Sequence, residues 1–253
     1  MVRIVVFDSG FGSLSVIKQI RKKIKAEVIY FADQKNYPYG KKSVSQLRKI
    51  INRTITFLDK EFEPNVIVVG SNTPSVLLGG YKSSKVIGVY PPLKEASSIT
   101  KTSSIGILTT QNVAKSIALS RLIKKNVSKK VIVHKINGSS LVDLVESGKF
   151  IHNKQECKRK ISSLLTSYLN TNNIDVVTLS STHLPFLLPY LNQLYPGISF
   201  LDPAKDVVKK ILKNNKSSKK SSLKIFCSGD ITLFQKQLNK IGIKRNVLRL
   251  KIN

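Results

Sequence analysis

Val66-Ile67-Val68-Val69-Gly70-Ser71-Asn72-Thr73 and Val176-Val177-Thr178-Leu179-Ser180-Ser181-Thr182-His183 are two stretches of one form. Each is an apolar, β-branched run that stops at small hydroxyl or amide residues. A continuous apolar run with such bounds reads as a strand buried on both faces, the kind found in parallel sheets. In open α/β sheets, ligands bind just beyond the carboxyl ends of the strands. Ser71-Asn72-Thr73 and Ser181-Thr182-His183 are therefore expected to form two walls of one cleft.

Working outward, further strands are expected at 2–7, 26–31, 86–89, 105–108, 131–134, 198–201 and 223–227. Helices are expected at 14–24, 43–58, 113–123, 141–146, 155–169 and 231–241, with a short one after Thr73. Asp202 is expected to cap a helix carrying Val207, Val208, Ile211 and Leu212. Strands alternating with helices argue for parallel sheets. Tyr90-Pro91-Pro92 reads as a hinge between two α/β lobes: residues 1–90 with 205–253, and residues 91–204. The basic, Ser-rich stretch 214–222 is the segment most open to disorder.

The totals narrow the class. Hydrophobic residues make up 41% of the chain, too many for a disordered protein. No apolar run approaches the roughly 18 residues of a membrane span. The N-terminus meets Asp8 too soon for a signal peptide, so a cytoplasmic protein is expected. Cys157 and Cys227 give neither a disulfide framework nor zinc spacing, and no metal site is expected. Lys and Arg number 43 against 14 Asp and Glu, a net charge of +29. That charge would draw in an anionic substrate, and it admits nucleic acid as a partner. It is spread along the chain, however, with no interleaved aromatic platform for stacking bases.

Asp8-Ser9-Gly10-Phe11-Gly12 opens like a dinucleotide fingerprint, and Asp33 lies near the distance of a ribose contact. The third glycine position is Ser15, and a carboxylate at Asp8 would repel a pyrophosphate. Both count against that reading.

Six segments in order carry a different likeness: FDSGFGSLSV (7–16), YFADQKNYPYGKKS (30–43), GSNTPS (70–75), LVESG (144–148), LSSTHLPFL (179–187) and SGD (228–230). Together they resemble glutamate racemase and the wider aspartate/glutamate racemase family, over nearly the whole chain. The resemblance implies two α/β lobes with the active site between them. It implies cofactor-independent interconversion of L- and D-glutamate, supplying a peptidoglycan precursor for cell-wall biogenesis. It implies a two-base mechanism in which a thiolate takes the α-proton from one face and a thiol returns a proton to the other. A homodimer is a common form of such proteins.

Residue by residue, the resemblance implies that Asp8 and Ser9 contact the substrate amine and its neighbouring base. It places Tyr39 and Gly40 at the carboxylate region, and Asn72, Thr73 and Thr182 at the α-carboxylate or amine. Thr110 matches a further substrate-contacting threonine, and Glu146 and His183 tune the second base. Each has a plainer alternative. Asp8 could cap the following helix, Glu146 could be a solvated acid, and His183 could be half-buried with a backbone partner.

The largest departure is at the two thiol positions, which are Ser71 and Ser181 here. A thiol has a pKa of about 8.5, and a hydroxyl is closer to water's roughly 15.7. The gap of about 7 units is about 10 kcal/mol against forming the base, at 1.36 kcal/mol per unit. Ser13, Pro74, Val113 and Leu184 are smaller departures. Little or no turnover is expected in an otherwise nearly isosteric pocket. A chain altered to trap substrate and a natural relative that lost the chemistry both fit. So does a non-catalytic amino-acid-binding or regulatory homologue, with glutamate or aspartate, a protein or a polyanion as its partner. A Ser/His/Asp hydrolase built from Ser181, His183 and Asp8 has the right atoms, but there is no Gly-x-Ser-x-Gly elbow. Ser181 and His183 also lie too close in sequence to be expected to face each other well. Neither Cys157 nor Cys227 lies in a substrate-facing motif to replace the missing thiols.

Overall fold

The computed structural model describes residues 1–252. Its strands, in chain order, are β1 (Arg3–Asp8), β2 (Glu27–Ala32), β3 (Val66–Val69), β4 (Val86–Gly88), β5 (Ser104–Thr109), β6 (Ile132–Asn137), β7 (Val176–Ser180), β8 (Ser199–Leu201), β9 (Ser222–Cys227) and β10 (Val247–Arg249). The chain forms two compact units: Met1–Val89 with the stretch from Ala204 onward, and Tyr90–Pro203.

The first unit holds a six-stranded sheet in the order β10-β9-β2-β1-β3-β4, parallel throughout. β1, β2 and β3 are buried on both faces, which explains their unbroken apolar runs. On one face Val5, Phe7, Ile29, Phe31, Ile67 and Val69 pack on Leu47, Ile51 and Leu58 of the helix Val44–Phe62. That helix starts at a capping box, with Ser43 and Gln46 each bonding the other's backbone N–H. Helix Leu14–Lys23 packs beside helix Ala204–Asn214. At the amino ends of the strands, Glu27 of β2 takes Arg3 of β1 at 2.7 Å and Lys224 of β9 at 2.9 Å. These two charge-assisted bonds pin three strands in register and hold the Glu27 carboxyl below its usual range.

The second unit holds a parallel four-stranded sheet in the order β6-β5-β7-β8. Its winding repeats that of the first unit. In each, the second strand lies on one side of the first and the third strand on the other, so β2-β1-β3-β4 matches β6-β5-β7-β8. The likeness of the two apolar stretches thus has a topological basis. β3 and β7 are the third strands of two like-wound sheets, each beside the point where the winding reverses and ligands are held. Among the described residues, no helix is long and apolar enough to cross a membrane.

Several sequence expectations need correction. The helix expected at 113–123 is two, Gln111–Ala114 and Ile117–Asn126. Ser116 breaks it by capping the second piece, its hydroxyl accepting from Leu119 N at 3.1 Å. Helix Val44–Phe62 runs a turn past residue 58. Asp202 is buried two residues before the helix Ala204–Asn214, with Pro203 between them. Helices Leu93–Ile99 and Lys149–His152 and strand β10 were not expected; all are short, too brief to show a period. The stretch 214–222 is tied down: Ser218 Oγ accepts from Val2 N, Ser217 Oγ accepts from Lys25 N, and Ser218 N donates to Lys25 O.

Candidate active site

In the first unit, β1 and β3 are neighbours with Phe7 opposite Val69, so Asp8-Ser9 and Gly70-Ser71-Asn72 leave the sheet side by side. Gly70 N donates to Phe7 O at 2.8 Å. A Cβ on Gly70 would lie 2.5 Å from Ser13 Cβ and 3.1 Å from Phe7 O. Only glycine lets the two exits pass this closely. Asp8, Ser9, Asn72 and Thr73 are buried, and Ser71 is half-buried. Asp8 Oδ1 accepts from Ser9 N at 2.7 Å.

Ser71 stands at the N-cap of the short helix Asn72–Leu78, yet its hydroxyl makes no capping bond. Its carbonyl accepts from Ser75 Oγ, and Ser75 Oγ in turn accepts from Val89 N. Asn72 Nδ2 donates to Val89 O at 3.0 Å, which orients the amide. Its Oδ1 is left buried with no hydrogen-bond partner. An orphan acceptor so held is normally rare and costs on the order of 1–3 kcal/mol.

Tyr39 and Gly40 lie in a 3-10 turn, Tyr39–Lys41. Ser9 Oγ accepts from Tyr39 N at 3.3 Å. The Tyr39 ring packs in the core, and a Cβ at Gly40 would meet nothing within 4 Å. Asp33, which sequence reasoning weighed only as a ribose contact, is the anchor of this loop. Its carboxylate accepts from Asn36 Nδ2, from Tyr39 Oη at 2.9 Å and from Ser228 Oγ at 3.3 Å. Burial pushes the Asp33 carboxyl above its usual range against those three donors, and burial drives the Tyr39 phenol well above its own.

In the second unit, β5 and β7 are neighbours with Thr109 opposite Ser180. Thr110 follows β5, and its Oγ1 is buried without a hydrogen-bond partner. Ser181 and Thr182 follow β7 and are buried. The chain then turns, with Leu184 N donating to Ser181 O at 3.0 Å. This turn brings Ser181 Oγ within 3.5 Å of His183 Nδ1. The expectation that these two residues face each other poorly is therefore overturned. Glu146 Oε1 lies 2.5 Å from His183 Nε2. The two side chains are 11% and 12% exposed, so Glu146 is not a solvated surface acid. It sits at the end of helix Ser139–Glu146, just before Gly148, whose φ of 73° turns the chain away. A carboxylate on Nε2 favours the Nε2–H tautomer and leaves Nδ1 as an acceptor for the Ser181 hydroxyl. The result is a Ser181–His183–Glu146 chain within one unit.

Among the described residues there is no cluster of three His, Cys, Asp or Glu able to hold a metal. Both thiols are buried, with Cys157 pushed up to about 11 and Cys227 also raised, in each case chiefly by burial. Neither supplies a thiolate near neutral pH.

No family model matches the chain. A glutamate racemase of Clostridium botulinum (strain Alaska E43 / Type E3) is 35% identical over 189 residues, which span 72% of this chain and 70% of that protein. The structure of the Thermus thermophilus glutamate racemase in complex with β-chloro-D-alanine is 25% identical, with a TM-score of 0.83 over 99% of this chain and 97% of that one. The Escherichia coli enzyme, solved with L-glutamate and the activator UDP-MurNAc-ala, is 24% identical and shares the fold with a TM-score of 0.82, over 99% and 98% of the two chains.

Proposed function

The chain belongs to the glutamate racemase family, and from that premise we propose that it binds a small acidic amino acid and inverts it slowly or not at all. Ser71 and Ser181 stand where the family's mechanism needs thiols. The observation that supports this reading is their equivalent placement, each just past the third strand of a like-wound parallel sheet. Around them wait two buried groups with no protein partner, Asn72 Oδ1 and Thr110 Oγ1. An acceptor such as Asn72 Oδ1 suits an ammonium group. The strongly positive chain suits a dicarboxylate. L-Glutamate, held by the Escherichia coli relative, has the right chemistry for both.

Racemisation requires a base on one face of the α-carbon and an acid on the other. With hydroxyls in both places, each thiolate's share of the chemistry falls by up to about 7 pKa units. The test is to incubate the protein with L-glutamate, and separately L-aspartate, and follow optical rotation beside a Ser71→Cys/Ser181→Cys variant. The expected result is no change for the parent and inversion by the variant. Inversion by the parent would sink the thiol argument. A silent variant would mean that the pocket has drifted beyond racemisation.

The net charge of +29 favours a second reading, a non-catalytic homologue with a polyanion as its partner. Titrating glutamate and DNA at two salt concentrations separates them, because only polyanion binding should fall steeply with salt.

A further inference from the structure

Three neighbouring strands of the first unit, β2, β9 and β10, are each entered through a segment that carries two cations and no acid. The four residues before β2 are Lys23-Ile24-Lys25-Ala26, those before β9 are Ser218-Lys219-Lys220-Ser221, and those before β10 are Ile243-Lys244-Arg245-Asn246. All six cations are exposed. They are far apart in the sequence, and the parallel order β10-β9-β2 gathers them at one end of the sheet. Adjacent strands lie about 5 Å apart, so the three entries share a rim about 10 Å wide.

The rim is held in place by its own backbone. Ser218 N donates to Lys25 O at 2.7 Å and Ser217 Oγ accepts from Lys25 N at 2.8 Å, which fixes the first two entries to each other. At the third, Val247 N donates to Gln235 Oε1 at 3.0 Å. Glu27, which opens β2, is already held by Arg3 and Lys224. The other half of the same sheet end differs. Glu63 precedes β3, and Lys85, before β4, is paired with Asp59 at 3.4 Å. Charge that is spread along the sequence is thus concentrated on one half of the rim. A cleft of about 430 Å³ opens at the third entry, between Lys224 of β9 and Lys244, Arg245 and Asn246, with Leu248 on its wall.

We propose that this rim binds the phosphate backbone of a nucleic acid, without regard to base sequence. The proposal rests on the polyanion reading given above and not on the amino-acid pocket, because the six residues of β1 set the rim about 20 Å from the strand ends that lead to Ser9 and Ser71. Lysine and arginine neutralise phosphates and release their counterions, which gives affinity but reads no bases. None of the twelve entry residues is aromatic, so none can stack a base. A cleft with cationic walls admits a chain of phosphates. A bilayer surface would also draw on exposed apolar side chains, and the two isoleucines of the entries, Ile24 and Ile243, are buried and half-buried.

The experiment is fluorescence anisotropy of a labelled, mixed-sequence DNA duplex with the whole chain, between about 50 and 200 mM salt. Six neutralised phosphates predict that the log of the binding constant falls with log salt at a slope of about −5. Lys219→Gln/Lys220→Gln/Lys244→Gln/Arg245→Gln should bring the slope to about −2 and weaken binding by at least about 100-fold at the low-salt end. Lys124→Gln/Lys125→Gln/Lys129→Gln/Lys130→Gln removes as much charge from exposed lysines of the second unit and should shift binding by less than about threefold. Both variants should melt with the parent, since exposed substitutions change stability little. Equal losses in the two variants would overturn the rim and leave the polyanion reading standing. No DNA binding by the parent at about 50 mM salt would remove both. Tighter binding to vesicles of phosphatidylserine and phosphatidylcholine than to DNA would overturn nucleic acid as the partner.

Discussion

Tyr39 Oη donates to Asp33 Oδ2 at 2.9 Å, and this bond joins the loop after β2 to a buried carboxylate at the end of the six-stranded sheet. Asn36 and Ser228 complete the donor set, so the loop's own residues and one from 195 positions away meet on one side chain. The loop that carries Gly40 is thereby held against the exits of β1 and β9.

Asp33 makes stability depend on pH in a direction opposite to that of most carboxylates. Burial raises its pKa in the folded state, so the folded chain holds the proton more tightly than the unfolded one. Below the unfolded value of about 4, both states are protonated and the contribution is fully present. It is lost as pH rises through the folded value. Urea unfolding across pH 4 to 7 should show the parent losing stability relative to Asp33→Asn as pH increases. A parallel course for the two proteins would show that the carboxylate is not raised.

Ser13 and Gly70 should be coupled. A Cβ at Gly70 falls 2.5 Å from Ser13 Cβ, so Gly70→Ala should cost roughly 1–3 kcal/mol by overpacking. Adding Ser13→Gly should recover part of that, the remainder being contact with Phe7 O and Val6. Ser13→Ala alone should stabilise by about 1 kcal/mol, because Ser13 Oγ is buried with no partner. Thermal melts in a double-mutant cycle read all three effects.

Asn72 and Thr110 should separate binding from stability. Thr110→Val removes an orphaned hydroxyl and should leave the melting temperature unchanged or higher while weakening glutamate binding. Asn72→Ala also loses the bond to Val89 O and should cost about 1 kcal/mol of stability. Its loss of an acceptor for a charged ammonium should weaken glutamate by about 10- to 100-fold. Calorimetric titration of each variant checks the pair.

Both thiols should be silent in the native protein. Cys157, raised to about 11, and Cys227 are buried. A thiol reagent at pH 8 should find no reactive sulfur before unfolding and two after it. Prompt reaction in the native state would mean that one of them is open to solvent and ionised.

The long periodic elements could be read without coordinates. Runs such as 66–69 and 176–179 are apolar on both faces because a covered parallel strand is, and Leu47, Ile51 and Leu58 keep helical spacing because one helix face meets the sheet. Breaks and short pieces were harder. Ser116 ends one helix and starts another by a single hydroxyl bond, and β10 has only three residues. Neither leaves a period to detect.

The amino-acid sequence by itself determined the fold class, the family likeness and the positions just past the strands where Ser71 and Ser181 stand. These depend on local pattern and on ordered motifs, both written along the chain. The tertiary structure alone decided what surrounds them. It showed that the two sheets share one winding, that Asp33 is a buried anchor, and that Glu146 reaches His183 across 37 positions. It also showed that Asn72 Oδ1 and Thr110 Oγ1 are left without partners. Hydrogen bonds and burial are set by which side chains meet after folding, and spacing along the chain carries no record of that distance.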